Sequence, residues 1–342
     1  VMKILFVMSQ YRVCERILPV VPRLKNDYEL DCLLVYQMSR KHVWPGDKDL
    51  RDNFFKEYGD YFNKITENRD DLDYGEYKLI ISDDNRDTPK TNLKDIYNKK
   101  NCLMIGCYHG AGELWNNFEF IKKSFGSVLD YCFVMGKSDV TSNVSIPIGI
   151  PSNDCLKSYK NLNKKHILVI VNFLGNRSCE FPVVLNKDFV EELDFVAIQK
   201  KFNLPIIFKL KSRADEGIGA HKRNSEYLNN ILPKELNYEV LCDYEKIDNL
   251  IAESKLIISA PSTLAYKPIQ LGIPTILIKG SGQLGNFGKF KGLVALNKQK
   301  IKDKINDMMR DSRHDEFIVD AIEGGLDFKS TEIFINKVKE IL

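Results

Sequence analysis

Two α/β domains, each a parallel sheet covered on both faces by helices, are what this 342-residue chain predicts. Three observations carry that reading. The length exceeds what one hydrophobic core usually spans, so two domains are expected. Apolar runs of strand length recur along the chain, and they are continuous rather than alternating, as strands buried on both faces of a parallel sheet are. Amphipathic stretches such as "ELWNNFEFIKKSF" lie between them, which supports a doubly wound arrangement.

The first half opens with "KILFVM" (3–8), which leads into "VCERILPVVPRLKN". "LDCLLVYQ" (30–37), "YKLIIS" (77–82), "CLMIGCY" (102–108), "YCFVM" (131–135) and "VSIPIGIP" (144–151) follow as strands. The polar segment 40–75 reads as a helix and loop inserted between strands. Its aromatic residues Trp44, Phe54, Phe55, Tyr58, Tyr61 and Phe62 are either core, the commoner fate of such a stripe, or an acceptor or membrane-facing surface. The stretch "SNDCLKSYKNLNKK" (152–165) is the linker candidate. Beyond it the pattern restarts with "HILVIVNF" (166–173), "LPIIFKLK" (204–211), "YEVLCD" (238–243), "KLIISA" (255–260) and "PTILIKG" (274–280). Ile333, Phe334, Ile335, Val338 and Ile341 have helical spacing. The expected organisation is therefore a Rossmann-like domain over 1–155, a second over 163–315, and closing helices over 316–342 packed back on the body. A cleft between the domains is the expected site, because ligands of such sheets sit beyond the carboxyl ends of the strands.

Composition narrows the function classes. Hydrophobic residues make up 44% and charged residues 28%, ordinary for a globular protein. The net charge of +3 does not single out a nucleic-acid partner, and the lysines and asparagines are scattered as on a solvated surface. Eight cysteines stand at 14, 32, 102, 107, 132, 155, 179 and 242, none in C-x-x-C spacing. Buried free thiols in a reducing cytoplasm explain them better than disulfides or zinc. "VMKILFVMSQ" reads as a first strand rather than a signal peptide, and no run approaches the ~20 apolar residues that cross a bilayer. A cytoplasmic protein is the expectation.

The chemistry-bearing residues stand at strand ends. His109 and Glu113 follow the strand 102–108 on a turn with Gly110 and Gly112, which permit close approach of a ligand. An imidazole there can accept or deliver a proton near neutral pH, with Glu113 orienting it or acting as the base. The plainer alternative is a strand-to-helix turn in which Glu113 favours a helix N-terminus. In the second half, the strand at 256–258 ends in Ser259-Ala260-Pro261-Ser262-Thr263 before a helix start. Small residues, hydroxyls and free N–H groups suit a phosphate; an ordinary Ser or Thr cap is the alternative. Lys209, Lys211 and Arg213 follow another strand and suit a pyrophosphate, or form a solvated loop. "GSGQLG" (280–285) has the spacing of a dinucleotide loop, but it follows the last strand of its half and Gly288 and Gly292 come where a helix should open. "DLD" (71–73) is better read as surface than as metal ligands, and "SDDN" (82–85) as a turn, although Asp83 and Asp84 end a strand.

These features together resemble glycosyltransferases of the GT-B fold. "HGAGE" (109–113) is similar to the His-Gly-Gly-Glu segment of the UDP-N-acetylglucosamine 2-epimerase superfamily. "GIPSNDCL" (149–156) resembles a segment of CDP-glycerol glycerophosphotransferases, with Ser152 in place of arginine. "LIISAPSTLAYKPIQLGIPTILI" (256–278) resembles the donor-binding element of both groups. The resemblance implies a metal-independent glycosyltransferase whose donor substrate is a nucleotide-diphosphate sugar, with no further cofactor. It implies Ser259, Pro261, Ser262, Thr263, Lys209, Lys211 and Arg213 around the nucleotide and diphosphate, and His109 with Glu113 as the base. Tyr266, Lys267 and Gln270 stand where the ribose-binding glutamate is placed in many such enzymes, so Gln270 is its expected substitute. A 2-epimerase-like or CDP-glycerol transferase-like reaction is the alternative, and a two-lobed binding protein is the reading from outside enzymes. The acceptor is open among a glycan, a lipid-linked precursor, a small metabolite and modified DNA, and the segment 40–75 is the candidate for a peripheral membrane contact.

Overall fold

The chain divides into two compact units, one formed by Val1–Asp154 with Ile318–Leu342 and the other by Cys155–Phe317. The computed structural model describes residues 1–35, 38, 47–84, 92–99, 101–108, 129–140, 143–171, 173–174, 184–185, 187–210, 220–241, 247–259, 262–279, 287, 290, 293–295, 305–307, 309–310 and 314–342. Calls for site residues at His109, Glu113, Lys211, Arg213 and Pro261, and for Trp44 in the aromatic stripe, lie outside the described residues.

The first unit is built on seven parallel strands: β1 (Lys3–Met8), β2 (Glu29–Leu34), β3 (Lys64–Thr66), β4 (Tyr77–Ser82), β5 (Leu103–Cys107), β6 (Tyr131–Val134) and β7 (Ser145–Pro147). Their order is β3-β2-β1-β4-β5-β6-β7, so the chain reverses its direction of travel across the sheet between β1 and β4. The continuous apolar runs are explained by cover on both faces. Leu5, Val7, Leu33, Ile80 and Met104 pack under Leu93 and Ile96 of the helix Leu93–Lys99. On the other face Phe6 meets Phe62 edge-on at 5.9 Å, and Phe62 stacks on Phe54 at 6.2 Å. Phe54 is fully buried and Phe62 nearly so. The aromatic stripe of 40–75 is thus core at these two positions, which burial of a phenyl ring stabilises by about 2–3 kcal/mol each. The segment expected as helix and loop also supplies the edge strand β3. Its "DLD" is a turn: the Asp71 carboxylate accepts from Thr66 Oγ1 at 2.8 Å and Asn68 Nδ2 at 3.0 Å, and Asp73 accepts the Gly75 N–H at 2.9 Å.

The C-terminal segment belongs to this unit. Phe334 of the helix Ser330–Ile341 stands edge-on to Phe133 of β6 at 5.0 Å. The helix start is held by Asp154, whose carboxylate accepts the N–H of Ser330 at 3.1 Å and of Thr331 at 2.6 Å, two of the donors a helix leaves unpaired. "GIPSNDCL" therefore seats this helix. Gly149 has φ +82°, and its N–H and that of Glu323 both donate to the Met135 carbonyl, at 2.9 and 2.8 Å.

Among its described residues the second unit carries eight strands: β8 (His166–Val171), β9 (Phe173–Leu174), β10 (Val184–Leu185), β11 (Ile206–Leu210), β12 (Tyr238–Leu241), β13 (Ser254–Ser259), β14 (Thr275–Lys279) and β15 (Leu293–Ala295). Six form a parallel sheet in the order β12-β11-β8-β13-β14-β15, and β9 pairs with β10 in a small sheet of its own. Ile167, Val169, Phe208, Leu256, Ile258 and Ile276 pack against Leu193 of the helix Lys187–Leu193, Phe195 and Ile198 of Phe195–Phe202, and Leu228 of Ala220–Ile231. The alternate residues Leu168, Ile170, Ile207 and Ile257 pack on Ile251 of the helix Ile247–Ala252 and on Ile273. The linker candidate 152–165 holds a 3₁₀ helix, Pro151–Tyr159. Among the described residues no disulfide is formed: Cys14, Cys32, Cys107 and Cys132 are buried, and the exposed Cys155 thiol donates to Asp248 Oδ2 at 3.8 Å. No described helix is long and apolar enough to cross a membrane.

Candidate functional site

Both sheets have a crossover point, where the strand order reverses and the ends of two adjacent strands part. Ligands of open parallel sheets bind beyond the carboxyl ends of the strands at that point. In the first unit it lies between β1 and β4, in the second between β8 and β13.

In the second unit β13 is paired with β8 through Ser259 and Ile170 and ends at the buried Ser259. Ser262 follows three residues on, with extended backbone (φ −160°, ψ 163°), and precedes the one-turn helix Thr263–Ala265. Its carbonyl accepts the Ala265 N–H at 2.9 Å, but its hydroxyl caps nothing. The Ser262 Oγ is shielded from solvent and has no hydrogen-bond partner among the described residues. The ordinary cap that would explain a serine here is therefore not formed, and a buried hydroxyl without a partner is an unusual expense of 1–3 kcal/mol.

The helix Tyr266–Gln270 continues from this turn. Tyr266 is fully buried, stacked on Phe287 at 4.7 Å and on Phe317 at 6.0 Å. Lys267 pairs with Asp248 at 2.5 Å, and Gln270 is buried with the sheet side of the helix. Lys209 occupies the penultimate position of β11, opposite Ile170 of β8. Its ammonium is 5% exposed as a residue and donates to the Leu210 carbonyl at 3.0 Å. Thus Ser259, Ser262 and Thr263 stand at and beyond the carboxyl end of β13, beside the crossover point, and Lys209 stands at the carboxyl end of β11, one strand beyond β8.

The first unit gathers a second constellation that the sequence order conceals. Asp83 and Asp84 follow β4 directly and are buried, as is Ser9 after β1. Asp83 Oδ2 accepts the Ser9 N–H at 2.8 Å and the Gln10 N–H at 3.3 Å, which bridges the crossover point. Asp83 Oδ1 and Ser9 Oγ have no partner among the described residues. Burial, and next the charge of Asp84, push the Asp83 carboxyl up to about 7, while the Ser9 amide and side chain and the Gln10 amide pull the other way. Burial wins, because removing a carboxylate from water outweighs two amide hydrogen bonds. Tyr108 ends the next strand over, β5. It is 4% exposed, its hydroxyl has no described partner, and the half-buried Arg16 guanidinium lies 5.5 Å from its ring centre. Burial pushes the Tyr108 phenol up and the Arg16 guanidinium down.

"SDDN" is thus a turn in sequence pattern but a buried carboxyl pair in space. Neither Ser9, Arg16 nor Tyr108 was singled out by local pattern, since only the adjacency of β1, β4 and β5 assembles them. No group of three or more His, Cys, Asp or Glu able to hold a metal occurs among the described residues.

No protein-family model matches the chain, and no curated protein matches its sequence. Solved structures do match. The UDP-GlcNAc 2-epimerase from Neisseria meningitidis, bound to UDP-GlcNAc, superposes with a TM-score of 0.62 at 11% identity, covering 99% of this chain and 100% of the other. The UDP-GlcNAc 2-epimerase of Methanocaldococcus jannaschii, in complex with UDP-GlcNAc and UDP, gives 0.63 at 12% identity over 99% and 100%. The wall teichoic acid polymerase TagF, soaked with CDPG, gives 0.56 at 15% identity over 99% of this chain and 88% of that one. At such identities the likeness is one of fold: the chain has the two Rossmann-like α/β units of the GT-B-like architecture that these epimerases and this polymerase share.

Proposed function

We propose that the chain is a glycosyltransferase that moves a sugar from a nucleotide-diphosphate sugar to a hydroxyl acceptor without a divalent metal. The observation that carries the reading is the unpartnered, buried Ser262 hydroxyl beside Thr263 at the crossover point of the second unit. A donor diphosphate supplies the acceptors such a hydroxyl lacks, and this turn with Ser259 and Pro261 is its proposed cradle. Lys209, Lys211 and Arg213 are assigned to the diphosphate charge, which grows as the bond to the anomeric carbon breaks. Gln270 is assigned to the ribose. His109, with Glu113, takes the acceptor hydroxyl proton while that oxygen attacks the anomeric carbon, and the nucleoside diphosphate leaves.

A second reading has its own support. Proton abstraction at sugar carbon 2, as a 2-epimerase performs it, needs a carboxyl group poised to exchange protons near neutrality, and Asp83, buried beside Asp84, is of that kind. The epimerases and TagF that share the fold act as context for both this reading and a CDP-glycerol transferase-like one. One experiment separates them. The chain is incubated with UDP-, GDP-, TDP- and CDP-activated sugars and CDP-glycerol, with and without a pooled acceptor extract, and products are resolved chromatographically. Acceptor-dependent release of nucleoside diphosphate supports glycosyl transfer. Epimerised sugar or free UDP without acceptor supports the epimerase. CMP release from CDP-glycerol supports glycerophosphate transfer. Turnover of none of these donors would refute all three.

A further inference from the structure

The crossover point of the first unit is already bridged. In a nucleotide-binding sheet the backbone N–H groups of the turn after the first strand face the ligand. Here the amides of Ser9 and Gln10 are both taken by one oxygen of Asp83, at 2.8 and 3.3 Å, across a sequence separation of 74 and 73 residues. The other oxygen, Oδ1, is sealed from solvent without a described partner. Asp83 itself is 1% exposed. A carboxyl in this position is a tie between two strand ends, and a proton can reside on Oδ1 while Oδ2 keeps accepting.

We propose that Asp83 is a positioning residue, a carboxyl latch that fixes the turn after β1 against the end of β4 at the crossover point, where ligands of such sheets bind. The latch tightens when the carboxyl ionises, because hydrogen bonds from amides to a carboxylate are about twice as strong as those to a neutral acid. The groups that face Asp83 set when that happens. Asp84 raises its proton affinity from the same strand end, and its neighbours are Cys14 from the helix Tyr11–Cys14, Cys32 of β2 and Cys107 of β5, thiols that burial keeps neutral. Arg16 contributes the opposing positive charge. The resulting midpoint, about 7, makes the latch responsive in the physiological range. The effect of the latch on turnover rests on the proposed function; the latch itself does not.

The test reads the latch directly and the reaction separately. In the full ¹⁵N-labelled chain, the amide signals of Ser9 and Gln10 are followed from pH 5 to 9, alongside Asp83→Asn, which keeps an acceptor oxygen but cannot ionise. Both amide protons should move downfield with one shared midpoint near 7 in the wild type and stay still in Asp83→Asn. With the nucleotide sugar identified by the product screen, Asp83→Asn should keep KM within about twofold and lose the kcat limb that carries this midpoint, and Asp83→Leu, which removes both bonds, should lose about tenfold or more in kcat. Amides that do not titrate in the wild type, or that titrate equally in Asp83→Asn, overturn the latch whatever the enzymology. Titrating amides in a chain that turns over no activated sugar support the latch and overturn the proposed function. A KM effect with an unchanged kcat profile overturns the positioning role.

Discussion

Replacing Gly149 by alanine is a perturbation whose magnitude can be worked from the structure. Gly149 has φ +82°, a conformation in which an L side chain is strained by about 1–2 kcal/mol. A Cβ there would lie 2.1 Å from Ser330 Oγ and 2.2 Å from the Glu323 carbonyl oxygen, the latter a backbone atom that cannot swing away. Ser330 Oγ donates to that same carbonyl at 3.0 Å, and Asp154 holds the Ser330 and Thr331 amides, so the helix Ser330–Ile341 must shift to admit a methyl group. Overpacking of this kind costs about 1–3 kcal/mol. Gly149→Ala should therefore destabilise the first unit by about 2–5 kcal/mol, with faster hydrogen exchange concentrated in 323–335. Gly272→Ala is the control: φ is +67°, but nothing lies within 4 Å of the added carbon, so only the strain of about 1–2 kcal/mol applies. Urea unfolding followed by circular dichroism measures both. A Gly149→Ala loss no larger than that of Gly272→Ala would refute the docking of the C-terminal helix described above.

Three further outcomes follow. Ser262→Ala should weaken nucleoside diphosphate binding about tenfold in a thermal-shift titration while leaving stability unchanged or slightly higher, because the hydroxyl has no described partner to lose. His109→Ala should lower kcat by about 10²–10⁴ with binding of the nucleotide retained, as loss of a general base does; unchanged turnover would move the base to Glu113 or to the Asp83–Asp84 pair. Asp83 has a proton affinity raised by folding, so its contribution to stability is complete below about pH 4 and is lost as pH rises to about 7. Relative to Asp83→Asn, the wild type should lose about 4 kcal/mol over that window in urea unfolding, and parallel curves would show that the carboxyl is not buried as described.

The central strands were legible because burial on both faces writes a continuous apolar run: "KILFVM" is β1 residue for residue, and "KLIISA" (255–260) is β13 displaced by one residue. Four short strands were not: β3 and β15 have three residues each, and β9 and β10 two, whereas the edge strands β7 and β12 fall within "VSIPIGIP" and "YEVLCD". The proposed phosphate turn of the second unit could be singled out in the sequence because Ser259 to Thr263 is contiguous and follows a buried strand. Asp83 was read as part of a turn because Asp-Asp-Asn is turn chemistry in isolation. Its amide partners are more than seventy residues away in sequence and become neighbours only when β1 and β4 pair. The roles of Tyr266 and Lys267 depended in the same way on distant residues, Phe287 and Phe317 for one and Asp248 for the other.

Hydrogen exchange of the intact chain with and without saturating nucleoside diphosphates bears most directly on where a donor would bind. The account expects one of them to slow exchange in peptides spanning 259–270, at the carboxyl end of β13, by an amount that grows with ligand concentration to saturation. Protection that appears only elsewhere, or with no nucleotide at any concentration, would contradict it.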